Sequence, residues 1–202
     1  MFARNLRYSK FVKEIDDTNT SILGNETSIV MQRRIIPTIG QKKTYTLKYE
    51  NPFFHPHSGH HPVISSSQFT YTKTDGTSTL VYLDDDGNGN IRIYELINET
   101  KSFISTNIGS VDYDKGIITL ESFMPTAVTN NILKIDCVPA NKDIVSERGS
   151  ILVIDTADPD SINVTSEAYN PFKTSSYSSN ISVDSSSNSS SNSSSNSSSG
   201  GY

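Results

Sequence analysis

Residues 80–95, LVYLDDDGNGNIRIYE, set two apolar runs on either side of a carboxylate and Asn-Gly cluster. As backbone chemistry the stretch is a β-hairpin. Asn88-Gly89 supplies the positive φ angles of a tight turn, and Val81, Leu83, Ile91 and Ile93 alternate on its flanks. As ligand chemistry it matches a calcium loop, with Asp84, Asp86 and Asn88 at the first, third and fifth positions, Gly89 sixth, Ile91 eighth and Glu95 twelfth. An EF-hand loop sits between helices, whereas the runs entering and leaving this one repeat every second residue, as strands do. The hairpin reading therefore leads, and calcium held loosely by Asp84, Asp86 and Asn88 is the only cofactor it leaves open.

The neighbouring sequence extends the same pattern. Gln68 to Lys73 and Ser78 to Leu83 flank an Asp75-Gly76 turn, and Asn90 to Leu96 leads into KSFISTNIG (101–109). VDYDKGIITLE (111–121) follows, turning at Asp114-Lys115-Gly116. Upstream, Thr27 to Ile36 and Lys43 to Tyr49 are rich in β-branched and aromatic residues, and the second should bury its Tyr45, Leu47 and Tyr49 side. Downstream, Leu133, Ile135 and Cys137 share one face of a further strand. Many short strands broken by Gly, Asp and Asn turns predict a mainly antiparallel β meander, forming a sandwich or a small barrel.

Two segments stand apart. Across residues 4–17, Tyr8, Phe11, Val12 and Ile15 recur at helical spacing, predicting a short amphipathic helix. A helix of this length needs a surface to dock on, either the chain's own sheet or a neighbour, and Phe11, Val12 and Ile15 are its interface candidates. Between Pro52 and Pro62, NPFFHPHSGHHP is a proline-shaped loop holding all four histidines, His55, His57, His60 and His61. Histidine-rich tracts bind zinc or nickel, but no HExxH pattern accompanies these. From Ser175 onward Ser and Asn dominate, a composition that buries too little apolar surface to offset its ordering entropy. The expected organisation is a helical arm over 1–20, a β-rich domain over 21–172 and a low-complexity tail over 173–202.

Among 202 residues, 22 acidic side chains outnumber 17 basic ones, for a formal charge of −5, so clustered cations for nucleic-acid phosphates are lacking. The basic side chains Arg4, Arg7, Lys10 and Lys13 gather along the helix and read as a solvated face. Neither a signal-peptide core nor about 18 consecutive apolar residues appears, so no membrane partner is expected. The lone Cys137 lies in an apolar run and reads as a buried packing group. With no GxSxG elbow, Walker loop or dinucleotide fingerprint, the sequence carries no motif for enzymatic chemistry.

The ordered series RYSKFVKEIDDTNTSIL, QRRIIPTIG, NPFFHPHSGHH, SSSQFTY, YLDDDGNGNIRIY, IGSVDYDKGIITLESFMPTA and LKIDCVPANKDIVSERGSIL, from Arg7 to Ile154, resembles the carboxy-terminal part of the large baseplate wedge subunit of contractile-tailed bacteriophages. The most specific parts are the DDDGNGN hairpin and IGSVDYDKG followed by Met124-Pro125-Thr126. The resemblance implies a non-enzymatic virion protein of the tail baseplate, packed against copies of itself and other wedge proteins. The chain departs from that pattern by starting at Met1, where the larger subunit has a long preceding region, and by its Ser/Asn tail. The alternative from the residues alone is a calcium-dependent β-rich binding or adhesion module.

Overall fold

A computed structural model of the chain describes residues 5–146 and 152–168. The strands in chain order are β1 (Asn5–Leu6), β2 (Met31–Ile35), β3 (Lys43–Lys48), β4 (Ile64–Ser66), β5 (Phe69–Thr72), β6 (Ser78–Asp85) and β7 (Ile91–Ile97). They continue with β8 (Thr100–Ser105), β9 (Gly109–Asp112), β10 (Ile117–Phe123), β11 (Ala127–Val128), β12 (Leu133–Cys137) and β13 (Ile144–Val145). The one α-helix among the described residues, α1, spans Tyr8–Asp16.

All pairings are antiparallel, and the largest sheet forks at β6. On one side β6 pairs with β7, which pairs in turn with β8. On the other side its first half pairs with β5 and then β11, while Asp84 near its end meets β4, followed by β12 and β2. A second sheet runs β3, β10, β9 and aligns Leu47, Ile118 and Val111 in one row. Both sheets feed a single core in which Val81, Leu83, Ile91 and Ile93 meet Leu47, Ile118, Leu120, Leu133 and Ile135. Each such side chain removed from water contributes about 1.5–3 kcal/mol. This is the sandwich form of the expected β architecture; among the described residues no barrel closes.

The period-two alternation holds. Val81, Leu83, Ile91 and Ile93 point inward, and Leu47 and Tyr49 are buried with Tyr45 partly so. The turn residues differ in detail. The β6–β7 connection is five residues, Asp86 to Asn90, and its left-handed positions are Gly87 (φ 71°) and Gly89 (φ 97°), not Asn88. A two-residue turn of the primed type does occur, at Asn98 and Glu99 (φ 49° and 63°) between β7 and β8.

The helix is shorter than the 4–17 pattern because Asn5 and Leu6 are drawn into pairing with Val145 and Ile144. Arg7 gives the first turn no side-chain cap. Instead Asp143 accepts the Tyr8 N–H at 2.8 Å and pairs with the Arg7 guanidinium at 3.2 Å. A carboxylate from a distant loop thus does the work of a helix N-cap and faces the positive end of the dipole. Asn25 holds the other side, donating to Val12 O and Asp16 Oδ1. Phe11, Val12 and Ile15 end half-buried. Replacing Asp143 with Ala is expected to lower stability by about 1 kcal/mol, the usual worth of a helix cap. Urea denaturation measures that loss, and hydrogen exchange should show faster opening of Tyr8–Asp16 than of β6.

Candidate functional site

The end of β6 sends two adjacent carboxylates to opposite faces of the sheet, because successive strand residues alternate. Asp85 points into the core and is fully buried. Its Oδ1 accepts the Val63 and Ile64 N–H groups at 2.7 and 2.8 Å, and its Oδ2 accepts the Tyr113 hydroxyl at 2.7 Å. Burial first, and then donation to Asp85, push the Tyr113 pKa up, so the phenol keeps its proton.

Asp84 points to the outer face and is also buried. Arg92 Nε lies 2.9 Å from Oδ1 and Lys101 Nζ 2.7 Å from Oδ2. Arg92 also donates to the Asp85 carbonyl at 2.7 Å. The cations are roofed by aromatic rings. Arg92 sits 4.4 Å from the Phe103 centroid and Lys101 4.2 Å from that of Tyr94, while Tyr82 stacks on Tyr94.

Asp86 belongs to the turn itself. Its Oδ1 accepts the Asn88 and Asn90 N–H groups, and its Oδ2 accepts Asn90 Nδ2 at 2.7 Å. Burial raises its pKa, but the hydrogen bonds from Asn90 and Asn88 together outweigh that and leave it below the ordinary value.

The histidine loop clasps this hairpin. Phe53 N–H donates to Tyr113 O at 2.8 Å, Phe54 N–H to Val138 O at 2.9 Å and Gly59 N–H to Gly87 O at 2.9 Å. Ser58 Oγ donates to Asn88 Oδ1 at 2.5 Å. At Gly87 a Cβ would stand 2.5 Å from the backbone N and O of His60, so only glycine permits the approach. His55 stacks flat on Tyr113 at 4.3 Å, and His60 meets both rings edge-on. His60 is 6% exposed, with Nδ1 2.6 Å from the His61 carbonyl and Nε2 without a partner among the described residues.

The three calcium candidates therefore sit close in sequence but spend their oxygens separately. Asp84 serves Arg92 and Lys101, Asp86 serves the turn backbone, and Asn88 serves Ser58. Glu95 turns to Lys73 at 2.7 Å and Thr79 at 3.0 Å. Among the described residues no group of three or more His, Cys, Asp and Glu is placed to hold a metal ion. The chain matches no family model, no curated protein and no solved structure. The site's chemistry is thus argued from its own geometry.

That geometry is a buried electrostatic lock. Sequence reasoning picked out Asp84, Asp86 and Asn88 but missed Asp85, Tyr113, Arg92 and Lys101. The available signal was the alternation of Asp84 and Asp85, which forces one of the pair into the core. Cys137 is fully buried, and burial, with Asp136 nearby, pushes its thiol pKa up, away from nucleophilic use. On the helix Arg7 is paired with Asp143 and Lys13 with Asp17, as a solvated face would be, while Arg4 lies outside the described residues.

Asp84→Ala is expected to destabilise the protein by about 1–3 kcal/mol, because the half-covered Arg92 loses its counter-charge while Lys101, 41% exposed, falls back on water. Guanidinium denaturation reads the loss, and a change under 1 kcal/mol would contradict the lock. Asp86 gives a pH signature. Its folded pKa is depressed, so its contribution is present above the ordinary aspartate range of about 4 and is lost as pH falls through the lower folded value. Thermal melts should show Asp86→Ala differing from wild type near neutrality and converging with it in acid.

Proposed function

We propose that the chain is a structural component of a contractile phage tail baseplate, acting as a wedge subunit through self-association and contacts with other baseplate proteins. The observation carrying this reading is the ordered set of resembling segments from Arg7 to Ile154. Their fixed order is harder to reach by chance than any one of them.

The chemistry of the most specific segments supports it. In DDDGNGN all three aspartates are committed to holding the fold together. In VDYDKG, Tyr113 anchors Asp85, Asp112 closes its own turn through Lys115, and Gly116 (φ 62°) lies where a Cβ would stand 2.0 Å from Asn51 O. Residues used in this way suit a rigid building block, and on this reading the chain performs no catalysis. The exposed share of Phe11, Val12 and Ile15 is a surface for neighbouring subunits.

Mass spectrometry of purified particles, with tails separated from heads, tests the assignment. The chain is expected in the tail fraction at a fixed ratio to the other baseplate proteins. Its absence from the particle would sink the proposal.

A further inference from the structure

The large sheet has an open margin at β8 and an unpaired strand-like segment at the far end of its other limb. Among the described residues β8 pairs only with β7. The Asn98-Glu99 turn makes Ile97 and Thr100 the hydrogen-bonded pair that closes the hairpin. Bonding then alternates, so Ser102 faces β7 while Lys101 and Phe103 aim their N–H and C=O groups at the open side. Phe103 is 44% exposed, and Leu96 and Ile97 beside it are also exposed. No proline interrupts this edge, and Lys101, the charge that would discourage pairing, is turned into the sheet face towards Asp84.

At the opposite margin, the 155–158 turn is tethered to β2 and β12. Arg34 pairs with Asp155 at 2.6 Å and with Asp158 at 2.9 Å, and Lys134 pairs with Asp158 at 2.5 Å. From the end of that turn the chain runs Ser161-Ile162-Asn163-Val164, which alternates polar and apolar residues and is β-branched at Ile162 and Val164, as a half-buried strand is. Yet it belongs to no strand, and Ile162 is 55% and Val164 82% exposed. Ser161 closes the turn, donating its N–H to Asp158 O at 3.0 Å and its hydroxyl to Asp155 O at 2.6 Å, so the run from Ser161 to Val164 is the part free to extend, about 10 Å.

We propose that residues 161–164 of one copy add as a strand along β8 of the next, joining copies head to tail. A second copy is the occupant because the donor segment and the acceptor edge lie at opposite margins of one sheet, so each copy carries both halves of the contact. Placing Ile162 beside Phe103 in parallel register brings the Asp160 carboxylate, at the end of the turn, towards Lys101, which is 41% exposed and can meet a second carboxylate besides Asp84. The interface is heterologous: it closes into a ring or runs on as a filament, according to the rotation between copies. This deepens the assembly function proposed above by naming its self-contact, and it is tested without the particle.

The test uses the purified full chain in analytical ultracentrifugation. Wild type should grow from the 22.2 kDa monomer to species larger than a dimer as concentration rises. The arm variant I162D/V164D and the edge variant F103P should each stay monomeric. F103P spares the β7 ladder, since the Phe103 N–H points away from it; F103E serves instead if circular dichroism shows F103P unfolded. Mixing arm and edge variants should restore a dimer of twice the monomer mass and nothing larger, because one intact arm meets one intact edge. Wild type that stays monomeric, or a mixture that does not pair, overturns the proposal. Assembly that survives both single variants also overturns it and points to another surface, such as α1. Absence of the chain from virions would remove the baseplate role and leave this contact standing.

Discussion

A carboxylate without water must have its charge met by fixed donors, and Asp85 imposes that demand at the centre of this fold. Two backbone N–H groups from the start of β4 and one phenol from the β9–β10 turn meet it. Those donors come from two parts of the chain, distant in sequence from each other and from Asp85, so satisfying one side chain fixes where β4, β6 and the second sheet stand relative to each other. Asp84, one residue earlier, does the same on the opposite face, binding β6 to β7 and β8 through Arg92 and Lys101. Apolar burial supplies most of the driving force for collapse, and these two carboxylates select one arrangement of the collapsed strands.

The hairpin tip and the histidine loop follow from the same constraint. With Tyr113 held by Asp85, its ring offers a face on which His55 stacks and an edge for His60. Gly87 lets the loop backbone come close enough for Gly59 to bond it. Histidines that suggest metal chemistry in the sequence here act as flat, partly polar packing groups over the turn.

Much of this was legible from local pattern. Val81, Leu83, Ile91 and Ile93 announced the strands because period two needs no knowledge of the partner, and Tyr8, Phe11, Val12 and Ile15 announced the helix in the same way. What was not legible depends on distant partners. Leu6 joins a strand because Ile144 waits for it, and β4, β11 and β13 are too short to show any period of their own. Asn88 looked like the left-handed turn residue because Asn-Gly so often is one, but a five-residue connection with glycine on both sides shifts that role to Gly87 and Gly89. The calcium pattern was real as spacing. Its oxygens went elsewhere because Arg92 lies directly across the ladder from Asp84 and Lys101 reaches the same group from β8.

The fork at β6 has a kinetic consequence. On its hairpin side β5, β6, β7 and β8 follow one another in the chain with short turns, whereas β12 pairs with β2 across about a hundred intervening residues, Met31 meeting Cys137. Closing so long a loop has an entropic cost that only an already formed surface can offset. The meander offers that surface, so the topology favours folding outward from β6, with the pairing of the two distant strands expected late. Before it closes, the edges of β12 and β2 are open to other chains, the state in which an incomplete sheet is prone to aggregate.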